Sequence, residues 1–263
     1  MKIDFQKWHG CRNDFIVIEY DKFEGLANVQ KHAQEICQRD GSGIGADGIL
    51  AIKPQDKYAD LTIINSDGSL AANCGNGLRC AAAYYHQKSG AQQISFKVMK
   101  DTITVSKVGD LYAVDMPKFK SFDENHKRLI QNECDFEILD EQFVDLGNPH
   151  LILPPQKMAS WEFFKFAQKI QSVQGGINIH LIENIDQSNP PKLKVLVYER
   201  GAGATKACGT GACAVAKWYQ HSHPELSDFN IEMPGGTLGI SINADQSTLK
   251  GPAHFVFSGT LNI

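Results

Sequence analysis

Cys74-Gly75-Asn76-Gly77-Leu78-Arg79-Cys80-Ala81-Ala82-Ala83 and Cys208-Gly209-Thr210-Gly211-Ala212-Cys213-Ala214-Val215-Ala216 carry one pattern twice, about half the chain length apart. Other segments repeat in the same order at nearly the same offset. Asn13-Asp14-Phe15-Ile16-Val17-Ile18 aligns with Asn148-Pro149-His150-Leu151-Ile152-Leu153, and Leu61-Thr62-Ile63-Ile64-Asn65 aligns with Val195-Leu196-Val197-Tyr198-Glu199. The glycine-rich loop from Gly41 has a looser echo in Gly175-Gly176-Ile177-Asn178. Four ordered matches describe an internal duplication.

Each half reads as strand, strand, helix, strand, strand, glycine turn, helix and closing strands. Short β-branched runs at Phe15 to Tyr20, Gly48 to Ile52 and Leu61 to Ile64 predict strands. Asn28 to Arg39 and Ser160 to Ser172 carry apolar residues at helical spacing, with Ser160 placed as the N-cap. The alanine-rich stretches Leu78–Lys88 and Ala212–His221 favour helix. Both are apolar nearly all round, which places each at the centre of its half. The late segments Phe229–Met233, Thr237–Asn243 and Thr248–Phe257 read as strands. The reading sets the join near Pro117, with halves 1–117 and 118–251 and a last strand, about 252–263, returning to the first half.

The 263 residues include 26 Lys+Arg against 30 Asp+Glu, a balance with no basic surplus to neutralise phosphates. This argues against nucleic acid. The start lacks an apolar leader core, and no apolar run reaches bilayer length. The chain therefore reads as cytoplasmic, with no membrane partner. Its seven cysteines form no CxxC pair, so reduced thiols are expected and no metal. Cys37, Cys80, Cys134 and Cys213 read as small buried apolar residues.

Cys74 and Cys208 differ, because each opens a helix at a glycine-flanked turn. The first N–H groups of a helix lack intrahelical partners and its dipole is positive there. A cysteine at that point is expected to have its pKa lowered. The neighbouring glycines let a carboxylate approach the backbone. A pseudo-two-fold axis would face the two thiols across a cleft, roughly 6–7 Å apart if each lies at near-attack distance from one carbon. Such a pair suits inversion of a carbon bearing hydrogen, with one sulfur removing the proton and the other returning it. No cofactor is needed in principle.

On these residues the chain resembles the diaminopimelate epimerase family of pyridoxal-phosphate-independent, two-cysteine epimerases and racemases. The resemblance runs through Asn13-Asp14-Phe15, Gly43-Ile44-Gly45-Ala46-Asp47-Gly48, Asn65-Ser66-Asp67-Gly68-Ser69 with Cys74-Gly75-Asn76-Gly77, Asn148-Pro149-His150, Tyr198-Glu199-Arg200-Gly201 and Ala207-Cys208-Gly209-Thr210-Gly211. It implies two pseudo-symmetric α/β domains, each a mixed sheet around a central helix, with the active site in the cleft. It implies interconversion of LL- and meso-diaminopimelate for lysine and peptidoglycan precursors. Cys74 and Cys208 then resemble the acid–base pair, and Gly75, Asn76, Gly209 and Thr210 the residues holding the reacting carboxylate. Asn13, Asn65, Asn148, Asn178 and Arg200 resemble those reading the distal end of a small amino-acid substrate. His150 and Glu199 resemble groups that assist the thiols or orient ammonium groups. A homodimer is left open.

Two positions depart from the family pattern. Cys11-Arg12 stand where a glycine usually precedes Asn-Asp-Phe, and Ala204 replaces a glutamate before Thr205. A related racemase of histidine or proline type is the alternative; proline-type members usually carry His at the position of Asn76. A cysteine hydrolase would leave the second motif unexplained, and a non-catalytic binder would need neither sulfur. Gly43 to Gly48 satisfies G-x-G-x-x-G, but an expected helix precedes it and a strand follows, the reverse of a dinucleotide site.

Overall fold

The computed structural model describes residues 2–21, 23–71, 74–155 and 158–262. They fall into two compact units, Met1–Asp115 with Lys250–Ile263 (unit 1) and Met116–Leu249 (unit 2). Unit 1 contains β1 (Lys2–Gly10), β2 (Asn13–Glu19), α1 (Phe23–Lys31), α2 (Ala33–Cys37), β3 (Gly48–Pro54), β4 (Ala59–Asn65), β5 (Leu70–Ala71), α3 (Gly75–Ser89), β6 (Gln93–Val98), β7 (Asp101–Val108), β8 (Leu111–Asp115) and β17 (His254–Asn262). Unit 2 contains α4 (Glu124–Gln131), β9 (Phe143–Asp145), β10 (Pro149–Leu153), α5 (Ser160–Ile170), β11 (Asn178–Asp186), β12 (Lys192–Glu199), β13 (Gly203–Ala204), α6 (Gly209–Ser222), β14 (Asp228–Met233) and β15 (Gly236–Asn243). β16 (Gln246–Gly251) spans the boundary.

The duplication is a duplication of topology. In unit 1, β2 lies antiparallel to β1 and parallel to β3, β3 antiparallel to β4, β4 parallel to β6, and β6 antiparallel to β7. In unit 2, β10 lies antiparallel to β9 and parallel to β11, β11 antiparallel to β12, β12 parallel to β14, and β14 antiparallel to β15. The short β5 and β13 lie antiparallel on β4 and β12. Unit 1 adds β17 on the far side of β1.

Both mixed sheets are covered on two faces, which is why their middle strands read as continuous apolar runs. Ile16, Ile18, Ile49 and Ala51 join Leu26, Val29 and Ile36 of α1 and α2 in one core cluster. On the other face α3 packs against β1, β2, β3, β6, β7 and β8. In unit 2, Leu151, Leu153, Ile179 and Leu181 cluster with Ile130 of α4 and Phe163, Ala167 and Ile170 of α5. There α6 packs against β9, β10, β11, β14 and β15. The alanines Ala81, Ala82, Ala83, Ala212, Ala214 and Ala216 are buried, so each sheet can approach its central helix closely.

Several local expectations are corrected. The helix expected over Asn28–Arg39 is two helices, because the ring of His32 approaches the Asn28 carbonyl at 2.9 Å and competes there with its own backbone N–H. Ser160 is not the N-cap of α5. Ala159 takes that place, and its N–H donates to the Glu162 carboxylate at 2.7 Å. The single late strand Thr248–Phe257 is two strands, β16 and β17, parted at Pro252. Cys134 is half-buried rather than buried, its thiol donating to the Ile130 carbonyl at 3.3 Å.

Two turns shape the surroundings of Asn13. Cys11 and Arg12 both have positive φ, 53° and 62°, and link paired Gly10 and Asn13 in a two-residue hairpin. A glycine adopts that left-handed geometry without the strain that Arg12 bears. The G-x-G-x-x-G loop folds back onto α2, with the N–H groups of Ile44 and Gly45 on the Ile36 carbonyl and that of Ala46 on Cys37. Its amides close a helix end instead of cradling phosphate. Among the described residues, no helix is long and apolar enough to cross a membrane.

At the start of β3, a Cβ on Gly48 would lie 2.6 Å from the Ile64 carbonyl oxygen across the ladder. Gly48→Ala is expected to destabilise the protein by about 1–3 kcal/mol, because a backbone atom must move. A urea denaturation midpoint equal to the unsubstituted protein's would contradict this.

Candidate active site

Each central helix begins with a cysteine in extended conformation, Cys74 with φ −154° and ψ 99°, Cys208 with φ −126° and ψ 112°. Each sulfur accepts the N–H of the third residue on, Gly77 or Gly211, at 3.4 Å. A thiol here replaces the usual serine or aspartate cap, so a nucleophilic atom lies in the positive field of the helix end.

In unit 1 the Asn13 side-chain oxygen stands 4.0 Å from Cys74 Sγ and accepts from Asn76 Nδ2 at 3.1 Å. Asn13 Nδ2 donates to Asp47 at 2.7 Å. Behind Asn76 lies the fully buried Arg79, which donates to Asn76 Oδ1 at 2.8 Å and to the Gly75 carbonyl at 3.2 Å. Its guanidinium interacts electrostatically with Cys74. Asp14 anchors the base of the loop. Burial pushes its carboxyl up, but bonds from Arg39 and Lys7 outweigh that and hold it at about 2. Asn65 is held separately in the Asn65–Ser69 turn, with its amide donating to Ser69 Oγ at 2.9 Å.

Unit 2 repeats the plan with different chemistry. Asn148 Nδ2 donates to Thr210 Oγ1 at 3.1 Å, the counterpart of the Asn13–Asn76 bond, and Thr210 Oγ1 lies 3.5 Å from Cys208 Sγ. The buried Asn178 bridges neighbours, donating to the Pro149 carbonyl at 2.9 Å and accepting from the Arg200 N–H at 3.1 Å. Arg200 Nη1 donates to the Gly175 carbonyl at 3.0 Å. Glu199, at the end of β12, accepts from Thr205 Oγ1 at 2.5 Å.

The lowered thiol pKa expected at both helix starts does not hold at Cys208. Burial pushes it well up, and the Glu199 carboxylate pushes it further by its charge and by accepting a hydrogen bond from the thiol. The Thr210 hydroxyl and Gly211 N–H act the other way but do not win. In a desolvated site beside a carboxylate, the helix end is the smaller effect.

The sequence reading picked out His150 but missed His180. Both are fully buried, with His150 Nδ1 2.9 Å from His180 Nε2. Burial holds both rings far below the ordinary imidazole value, His180 at about 3. One nitrogen of each ring and Cys208 Sγ lie within 4.8 Å of one another, a donor set of the kind that can bind zinc. The facing nitrogens are, however, bonded to each other. The signal for His180 lies in strand alternation, which puts it on the same face of β11 as Asn178, toward α6. Arg79 and the Arg39–Asp14–Lys7 cluster were likewise not singled out.

Comparison with known proteins follows the duplication. The family model for diaminopimelate epimerase matches residues 5–119 and 142–256. The diaminopimelate epimerase of Carboxydothermus hydrogenoformans is 34% identical over 98% of this chain and 98% of its own, and that of Clostridium perfringens 32% over 97% and 98%. Among solved structures, a phenazine biosynthesis PhzF-family protein from Enterococcus faecalis superposes with a TM-score of 0.70 at 11% identity, covering both chains fully. A hydroxyproline epimerase from Agrobacterium vitis gives 0.63 at 9%, covering 99% of this chain and 91% of that one. At such identities the structural likeness concerns the fold alone.

The buried pair sets an acid limit on stability. Unfolded histidines protonate below about pH 6.5 while the folded pair stays neutral, so the unfolded state gains protons first and stability falls as pH drops. Asp14 contributes stability above about pH 4 that is lost as pH falls toward about 2. Urea midpoints followed downward from neutral pH should show His180→Leu flattening the first part of the decline and Asp14→Asn the last. An unchanged slope below about pH 6.5 in His180→Leu would show that the ring is not held neutral.

Proposed function

The chain belongs to the diaminopimelate epimerase family, and on that premise we propose that it interconverts LL- and meso-diaminopimelate by a two-base transfer of the α-proton. The observation that carries the mechanism is the repeated thiol cap, with a backbone N–H 3.4 Å from each sulfur. Cys74 and Cys208 form the acid–base pair, one from each unit. One sulfur starts as thiolate and takes the α-proton, and the other starts as thiol and gives its proton to the opposite face. After one turnover the two charges have exchanged, so the same enzyme runs the reverse reaction without a redox step or an added cofactor.

The reacting carboxylate is held by Gly75, Asn76, Gly209 and Thr210, at helix ends that favour negative charge and stabilise it as the α-carbon loses its proton. Asn13, Asn65, Asn148, Asn178 and Arg200 read the distal end of the substrate. Arg200 pairs with the second carboxylate and Glu199 with an ammonium group. His150 assists the Cys208 side. Asn13 and Asn148 suit their role because Asn76 and Thr210 already orient them at 3.1 Å. The reaction serves lysine and peptidoglycan precursor synthesis on a free amino acid in the cytoplasm.

Incubation with LL-diaminopimelate in D₂O should yield meso product carrying deuterium at the α-carbon. A panel of free amino acids assayed alongside should show this substrate preferred. Cys74→Ser and Cys208→Ser should each lower turnover at least about 100-fold. Normal turnover in either single variant would overturn the two-base reading.

A further inference from the structure

The two units fill one structural slot in two ways. Beneath the first turn of α3, a Cβ on Gly77 would lie 3.0 Å from Leu50 Cδ2 and 3.4 Å from Cys74 Sγ. Beneath the first turn of α6, a Cβ on Gly211 would lie 2.1 Å from His180 Cε1. Strand register makes these positions equivalent. Phe15 pairs with Gly48 in unit 1 as His150 pairs with Asn178 in unit 2, and Leu50 and His180 each follow two residues later. Packing under the helix therefore needs only an apolar side chain, as Leu50 shows. The nitrogens of His180 exceed what packing requires.

We propose that His180 is a positioning residue, which through its hydrogen bond to His150 fixes where protons sit beside Cys208 and so makes the two thiols chemically unlike. This rests on the two-base reading for its catalytic meaning but not for its test. A neutral imidazole carries one N–H, and a single proton lies between His150 Nδ1 and His180 Nε2. If His150 donates it, His150 Nε2 is bare and His180 Nδ1 is protonated; if His180 donates, the reverse holds. The outer nitrogens are thus always one donor and one acceptor. Both are buried and have no hydrogen-bond partner among the described residues. His180 thereby decides whether His150 offers a proton or a lone pair.

Among the described residues, Arg200 acts on His150 by charge, Cys208 at the cap of α6 lies within 4.8 Å of a nitrogen of each ring, and Glu199 at the end of β12 acts on Cys208. Glu199 favours the thiol form of Cys208, and exchanging a polar ring near the sulfur for an apolar side chain would disfavour the thiolate further. Unit 1 has no such pair at the equivalent positions, where Phe15 and Leu50 stand, and there Arg79 lies near the sulfur.

The decisive variant is His180→Leu, which installs what unit 1 already uses, with His180→Gln as the conservative counterpart. Alkylation by iodoacetamide, resolved by mass spectrometry at each cysteine across a pH series, reads the thiols directly. kcat/KM for LL-diaminopimelate is followed over the same range. His180→Leu should shift the Cys208 alkylation profile upward by about one pH unit and lower kcat/KM about tenfold. The Cys74 profile should stay in place, and His180→Gln should recover part of both effects. An unmoved Cys208 profile, or equal movement at both cysteines, would overturn the proposal. If His180→Leu does not fold, nitrogen NMR of the unsubstituted imidazoles decides instead. One protonated outer nitrogen is expected, and two would refute the shared proton. Absence of epimerisation in the unsubstituted enzyme would sink the proposed function but leave the alkylation comparison intact.

Discussion

A backbone N–H directed at a sulfur is the contact on which the molecule is organised. For Gly77 and Gly211 to reach a cysteine cap at 3.4 Å, the helix must start abruptly and the residue below must press against bare backbone. At Gly211 a Cβ would collide with the His180 ring at 2.1 Å, and at Gly77 it would crowd the tip of Leu50 at 3.0 Å. The alanines that follow let the sheet close around each helix. The strand ends beside the helix starts then carry the polar residues: Asn13 and Asn148 where the chain enters β2 and β10, Asn65 and Glu199 where it leaves β4 and β12.

Duplication gave the two units one plan, and divergence gave each sulfur its own surroundings. Beside Cys74 stand Asn13 and Asn76, with the buried cation of Arg79 behind them. Beside Cys208 stand Thr210, Glu199 and two neutral imidazoles. A symmetric framework can thus serve a reaction in which one end of the substrate reacts while the other is only held.

The repeat, the strand runs and the two capped helices are legible in the sequence because they depend on local pattern. Apolar alternation, glycine punctuation and alanine content each act within a few residues. The pKa of Cys208 is not local. It follows from burial and from Glu199, which approach through sheet pairing and helix packing. His180 was hidden for the same reason, since one histidine in an apolar strand is indistinguishable from a core residue until His150 is placed next to it. Arg12 is the converse case. Its departure from the family pattern was visible, but only the positive φ of the hairpin shows that the backbone there is what favours glycine.

Placement of β17 against β1 has a bearing on biosynthesis. Unit 2 lies inside the sequence of unit 1, so a ribosome has delivered all of it by Leu249, while unit 1 still lacks its last strand. Until Asn262 emerges, the outer edge of β1 is an open row of amides and carbonyls, available to any passing strand. The inserted unit can therefore mature first, and the enclosing one must wait for translation to reach its final segment.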